Sequence, residues 1–210
     1  YLLSLEGKNV CVLEDYEIAS GQTGRTTAHF VTALDDRYSQ LEKYHGEKGV
    51  FLAAQSHRAA LEKVENIIRK EDIQCEFKKV DGYLFSEPDH DQKILDEELV
   101  AIRKAGLLDV HMVPRTPLGT FASGPALKFP NQIQLNPLRY VSSLAVQVLK
   151  RGGKIFTRTH ATEIKGGPAS YVKTKEGYVI HCNSIVVATN SPINDLFAIH
   201  TKQAPYRTYV

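Results

Sequence analysis

The 210-residue chain is 42% hydrophobic and 24% charged, ordinary usage for a globular protein, which excludes disorder or a coiled coil as a reading of the whole. Its 26 basic and 24 acidic residues leave a net charge of +2, so no global field favours nucleic acid or a membrane surface. No apolar run reaches the roughly 20 residues of a membrane helix, and three scattered cysteines, Cys11, Cys75 and Cys182, predict a reducing, cytoplasmic setting rather than a disulfide framework.

Residues 1–6 predict a helix stopped by Gly7, the residue type that accepts a left-handed turn after a helix. There is no initiator Met and no basic segment of a signal peptide, so the chain reads as an internal piece of a longer protein. Val10-Cys11-Val12-Leu13 runs apolar without alternation and predicts a buried strand ending on Glu14. A loop rich in glycine and hydroxyls follows, Ser20-Gly21-Gln22-Thr23-Gly24-Arg25-Thr26-Thr27-Ala28-His29.

Helical spacing returns after Asp36, with Leu61, Val64, Ile67 and Ile68 on one face. Residues 80–85 predict a strand around Gly82. Pro88 and Asp89 open a helix with Leu95, Leu99 and Ile102 inward, and Gly106 ends it. Residues 113–130 hold four prolines with Gly119 and Gly124, a pattern of loop or edge strand. Asn136 as N-cap and Pro137 at the first helical position start another helix. Val141, Leu144, Ala145 and Val148 form its buried stripe, and Gly152-Gly153 stops it. Residues 155–159, 170–174, 178–182 and 184–188 then read as strands, with turns at Gly166-Gly167-Pro168 and Glu176-Gly177.

This order is an α/β pattern. It predicts that residues 10–13 and 185–188 share one parallel sheet, and that residues 36–135 form a second lobe.

Three segments carry candidate chemistry. Glu14, at a strand end, is placed to accept hydrogen bonds from the ribose hydroxyls of a dinucleotide. In the loop behind it, Gly21 and Gly24 permit close backbone approach, Thr23, Thr26 and Thr27 offer hydroxyls, and Arg25 offers fixed positive charge. Ile185-Val186-Val187-Ala188-Thr189-Asn190 runs from an apolar strand into small and polar residues, which lets backbone approach a ligand at a sheet end.

The succession VCVLE, SGQTGRTTAH, THATEI, IVVATN resembles the FAD-dependent oxidoreductases of the D-amino-acid oxidase (glycine/sarcosine oxidase) superfamily. More closely, it resembles members that carry a Rieske [2Fe–2S] domain after the flavin part, in which GRTTAH is followed shortly by LDDRY, here Leu34 to Tyr38. The resemblance runs over the whole chain. It implies a Rossmann-like FAD-binding parallel sheet with a β-meander, plus a mixed α+β substrate lobe, incomplete at both ends. It divides the chain into residues 1–35 (FAD-binding lobe), 36–135 (helical insert and substrate lobe), 136–200 (return of the FAD-binding lobe) and 201–210 (start of a second substrate-lobe segment).

The resemblance also implies roles. Glu14 binds the adenosine ribose. Gln22, Thr23, Gly24, Arg25, Thr26 and Thr27 line the pyrophosphate and ribityl chain. Ala161 presents its backbone to the adenine edge, and Ala188, Thr189 and Asn190 close the far side. The TTAH context of His29 is similar to the TTWH stretch of dimethylglycine and sarcosine dehydrogenases, whose His is covalently linked to the flavin; Ala28 stands where they have Trp. A covalent link, a non-covalent flavin contact and a helix-start histidine are the readings of His29. The chain departs from the family pattern in lacking a GxGxxG phosphate loop, and it has no Rieske motif, since His181-Cys182 has the wrong spacing. No metal site is expected in this segment.

The implied reaction is oxidation of a C–N bond in an amine or amino acid, with electrons passing to a Rieske domain or another acceptor. A substrate carboxylate would call on Tyr83, Arg115, Arg139, Tyr206 or Arg207, while catalytic residues stay unassigned. His57, His90, His111 and His160 read as surface or structural residues, and Met112 as a gap-filler of the core. Two alternatives stand beside this reading: another flavin or NAD(P) oxidoreductase, and a non-redox module that keeps the fold. The truncated chain is expected to bind flavin poorly by itself and to oligomerise through its open sheet edges.

Overall fold

The computed structural model describes residues 1–86, 92–119 and 123–189. The chain forms two compact units, residues 1–27 with 141–210 and residues 28–140. The short strand at His29–Phe30 joins the sheet of the second unit.

In the first unit, α1 (Leu2–Leu5) ends at Gly7, whose φ is +69°. Gly7 N–H donates to Ser4 O at 3.2 Å and Lys8 N–H to Leu3 O at 3.1 Å, the paired bonds of a Schellman turn. Strand β1 (Cys11–Leu13) follows. The expected parallel partner at 185–188 is not formed: residues 184–189 hold no strand, and Val186 is 74% exposed. An apolar run alone does not supply a ladder. The parallel partner of β1 instead lies at Lys154–Phe156, in register Val12 to Ile155. Nor is β1 buried, since Val12 is 37% exposed and one strand alone flanks it among the described residues.

The second unit is built on one antiparallel sheet. In chain order its elements are β2 (His29–Phe30), α2 (Tyr38–Lys70), β3 (Lys78–Phe85), α3 (Lys93–Lys104), β4 (His111–Val113) and β5 (Ala126–Gln134). Helix α2 breaks at Gly46, where φ is 67° and ψ 177°. The expected start of α3 at Pro88 and Asp89 lies outside the described residues. Its end is as expected: Gly106 has φ +82°, and Leu107 N–H reaches Ile102 O at 3.2 Å.

The proline-rich stretch holds a surprise. Strand β5 is the centre of the sheet, pairing with β2, β3 and β4, rather than a loop or an edge. Pro130 is accommodated because the ladder bulges there, with the register shifting between Val80 and Gly82 and Asn131 at φ +59°. A bulge is where an interior strand tolerates proline. One face of the sheet packs on the helices, burying Leu127 and Phe129 with Tyr38, Val50, Leu95 and Ile102. Met112 packs against this core, as expected.

Helix α4 (Pro137–Lys150) starts as predicted, Asn136 Oδ1 accepting Arg139 N–H at 3.2 Å. Of its expected stripe only Val148 is fully buried. Gly152 and Gly153 close it, their N–H groups bonding Leu149 O and Val148 O at 2.9 and 3.0 Å. The chain then enters β6 (Lys154–Phe156) and a meander of β7 (Ala161–Lys165), β8 (Tyr171–Thr174) and β9 (Val179–His181).

Candidate functional site

Glu14 directly follows β1. Its N–H extends the ladder to Phe156 O at 2.9 Å, and its carbonyl accepts Thr159 N–H at 2.9 Å. The segment behind it is laced to the β6–β7 connection. Arg158 N–H donates to Tyr16 O at 3.0 Å, Arg158 Nε to Glu17 Oε1 at 2.7 Å, and His160 Nδ1 lies 2.9 Å from Asp15 Oδ1. The Glu14 carboxylate is half-buried, with Oε1 accepting Tyr16 N–H at 3.2 Å. This is a carboxylate at the carboxyl end of a parallel strand pair, where open α/β sheets bind ligands. Ala161 opens β7 two residues beyond the residue that bonds Glu14.

Gln22, Thr23, Gly24 and Arg25 form a single 3₁₀ turn, and residues 21–27 are all exposed. A Cβ added at Gly21 would meet nothing within 4 Å, so the backbone there is open to approach. Ala188 and Thr189 lie in exposed chain beyond β9. Asn190, Tyr206, Arg207 and His90 lie outside the described residues.

His29 belongs to the second unit and sits on a strand, not at a helix start. It is exposed and pairs across the ladder with Gln134, which pairs in turn with Lys78. Ala28, just before it, holds a φ of +65°. Among the substrate candidates, Tyr83 is half-buried on β3 opposite Lys128. Arg115 is exposed after β4, and Arg139 is engaged with Glu76 at 2.9 Å.

Sequence reasoning missed two charged groupings in this unit. Glu98 is 1% exposed and bonds the start of α2. Lys128 and Asp81 form an ion pair at 2.7 Å, and the Asp81 hydrogen bond raises the Lys128 pKa. The alternation Leu127, Lys128, Phe129 was the available signal, and the surrounding prolines masked it. The second unit also carries a cleft of about 570 Å³ lined by Thr32, Arg58, Glu65, Lys79, Asp109 and Gln132, among others. Two ion pairs lie among its lining residues, Arg58–Asp109 at 3.2 Å and Lys79–Glu65 at 3.0 Å. Among the described residues, no cluster of His, Cys, Asp and Glu could hold a metal ion, and no helix is long and apolar enough to cross a membrane.

Comparison with known proteins bears on the fold and on the family. The chain is 29% identical over 196 residues to YhfW of Bacillus subtilis (strain 168), a protein named for a Rieske 2Fe-2S iron–sulfur centre; the match covers 93% of this chain and 38% of that one. It is 24% identical to the oxidoreductase-named OrdL of Haemophilus influenzae, covering 99% of this chain and 50% of that one. The chain thus spans at most half the length of these relatives. Among solved structures, glycine oxidase from Geobacillus kaustophilus superimposes with a TM-score of 0.70 at 15% identity, covering 89% of this chain and 50% of that one. L-amino acid deaminase from Proteus myxofaciens, in complex with anthranilate, gives 0.65 at 17% identity, covering 85% and 39%. These likenesses establish the α/β fold. The sequence matches the family described as FAD dependent oxidoreductase (DAO) along residues 1–210, and the chain belongs to that family.

Proposed function

We propose that this chain is the flavin-binding portion of an FAD-dependent oxidoreductase that oxidises a C–N bond of an amine or amino acid. The observation that carries the reading is Glu14, whose main chain is held at the end of β1 by the Phe156 and Thr159 backbone bonds and whose carboxylate accepts Tyr16 N–H at 3.2 Å. The donor set fits FAD. A carboxylate for the ribose, an open backbone face at Gly21 and the exposed Thr23, Arg25 and Thr27 are what a diol and a pyrophosphate require.

In this reading Glu14 accepts the ribose hydroxyls, and Gln22, Thr23, Gly24, Arg25, Thr26 and Thr27 donate to the phosphates and ribityl chain. Ala161 presents backbone to the adenine, and Ala188, Thr189 and Asn190 close the nucleotide's far side. FAD, when bound, supplies the acceptor for a hydride from the carbon next to the amine. The protein's own task is to orient the substrate and exclude water. The substrate class is supported by the names of the fold neighbours, glycine oxidase and L-amino acid deaminase. A Rieske domain outside this chain, supported by the name of YhfW, serves as electron acceptor. His29, exposed on β2, keeps two readings, a non-covalent flavin contact and a covalent flavin link.

The test is the visible spectrum of the full-length protein before and after acid precipitation. Yellow colour that stays with the pellet, and is released by His29→Ala, supports the covalent link. Colour released to the supernatant keeps the enzyme and retires the link. Absence of flavin after reconstitution with FAD overturns the reading in favour of a non-redox module.

A further inference from the structure

Helix α2 turns one stripe toward the cleft of the second unit. Arg58, Leu61, Glu62 and Glu65 stand at positions i, i+3, i+4 and i+7, which share a helix face, and all four line the cleft of about 570 Å³. A second wall is the bulge of β5, where Asn131 at φ +59° carries the chain from Pro130 to Gln132. The turn from Gly106 to Val110, between α3 and β4, supplies a third. Every lining residue belongs to the second unit.

Most of the charge in this cleft is already matched. Arg58 stands one helical turn from Glu62 but is held by Asp109 at 3.2 Å. Glu65 is held by Lys79 at 3.0 Å and by Arg69. Of the charged lining residues, Glu62 alone has no ion-pair partner among the described residues. Gln132, 3% exposed, accepts the Thr32 N–H at 2.6 Å and donates from Nε2 to Pro130 O at 2.8 Å. An amide nitrogen carries two hydrogens, and the other has no acceptor among the described residues. Leu61, Leu108 and Val110 add apolar lining, and Leu108, 70% exposed, leaves part of it open to solvent. A cleft of this size with apolar walls and a few placed polar groups is the form of a small-molecule site.

From this set we propose that the cleft is a second ligand site, which takes a small organic ammonium compound carrying an apolar body and an oxygen acceptor. Glu62 holds the ammonium, Gln132 Nε2 donates to the oxygen, and Leu61, Leu108 and Val110 cover the body. An anion is disfavoured, because Arg58 and Lys79 are engaged with Asp109 and Glu65 while Glu62 repels it. Such a site needs no flavin and lies outside the reaction proposed above.

The test is hydrogen–deuterium exchange of the full-length protein with two compounds. Tyramine joins an ammonium, an aromatic body and a hydroxyl oxygen; phloretate has a carboxylate in place of the ammonium. Tyramine is expected to protect the backbone amides of residues 106–110 and 131–134, and phloretate at the same concentration to leave them unchanged. Titrated by that protection, Glu62→Gln is expected to bind tyramine about tenfold more weakly. Glu62 is exposed on the helix surface, so the substitution leaves the fold intact. Leu108→Ser is expected to weaken tyramine severalfold and keep the preference for the cation. Unchanged exchange in both stretches, equal protection by phloretate, or a Glu62→Gln protein that titrates as wild type overturns the inference. Protection confined to other residues marks a site other than the cleft and overturns it as well. The readout is independent of flavin, so its failure leaves the oxidoreductase reading standing.

Discussion

The buried carboxylate of Glu98, on α3, accepts the backbone N–H of Tyr38 at 2.7 Å, and its second oxygen accepts that of Ser39 at 2.9 Å. One helix thereby caps another: Tyr38 and Ser39 open α2, whose first N–H groups have no partner within the helix. The residue before them, Arg37, has φ +58° and gives no side-chain cap. Glu98→Ala should therefore leave buried donors unsatisfied and cost about 2–4 kcal/mol. Glu98→Gln, which keeps one good acceptor, should cost about half of that. Urea denaturation of the two variants checks the order; equal and small losses would mean that water replaces the cap.

Tyr38 gives the same network a pH signature. Its hydroxyl donates to Thr32 O at 2.5 Å. Burial above all, then the Glu98 charge, raises its pKa from 10.0 to about 12. The folded state thus keeps a proton that the unfolded chain loses over that interval. Its contribution is complete below pH 10 and is lost as pH rises through 12, amounting to about 2–3 kcal/mol. Stability measured from pH 8 to 11.5 should fall more steeply for wild type than for Tyr38→Phe. Parallel curves would show that Tyr38 titrates normally in the fold.

Local signals carried much of the architecture. Gly7, Gly106 and Gly152 stop their helices at positive φ, and Asn136 caps α4, because each of these is a property of a few consecutive residues. What the sequence hid was pairing. Residues 10–13 and 185–188 look alike as apolar runs, yet only the first forms a strand, and its partner is β6. Pro130 suggested an edge, because a bulge that absorbs a proline depends on the register of the opposing strand. The candidate site divides in the same way. The place of Glu14 after a strand was legible, whereas the Asp15–His160 pair beside it joins residues that only the fold brings together; in the second unit, taken by itself, the same holds of Asp81–Lys128.

Two adjacent glycines after α4 should respond differently to alanine. A Cβ at Gly153 would lie 2.5 Å from Val148 Cγ1 and 3.0 Å from Val148 O, so the backbone itself must shift. At Gly152 a Cβ meets nothing within 4 Å, and only the φ of +83° is strained. Gly153→Ala should cost about 2 kcal/mol or more, against about 1 kcal/mol for Gly152→Ala. Adding Val148→Ala should recover part of the Gly153→Ala loss relative to Val148→Ala alone. Thermal unfolding of the set decides it: no coupling between positions 148 and 153 would show that the clash relaxes elsewhere.

The support around Glu14 can be separated from Glu14 itself. Charge-assisted hydrogen bonds to a ribose contribute about 1.5–3 kcal/mol, so on the proposed role of Glu14 as the ribose acceptor Glu14→Gln should weaken FAD binding by the full-length protein about ten- to a hundredfold. The ion pairs beside it are exposed, with side-chain exposures of 81% and 57% for Arg158–Glu17 and 52% and 45% for His160–Asp15. Such pairs contribute about 0–1 kcal/mol. Asp15→Asn and Arg158→Ala should therefore change FAD affinity by no more than about fivefold. Thr159→Pro is the sharper probe. It removes the N–H that holds Glu14 O at 2.9 Å while leaving the carboxylate in the chain. Its loss of affinity should approach that of Glu14→Gln, with the melting temperature checking that the meander still folds. A Thr159→Pro protein that binds FAD as wild type does would mean that the β1–β6 ladder alone places the carboxylate.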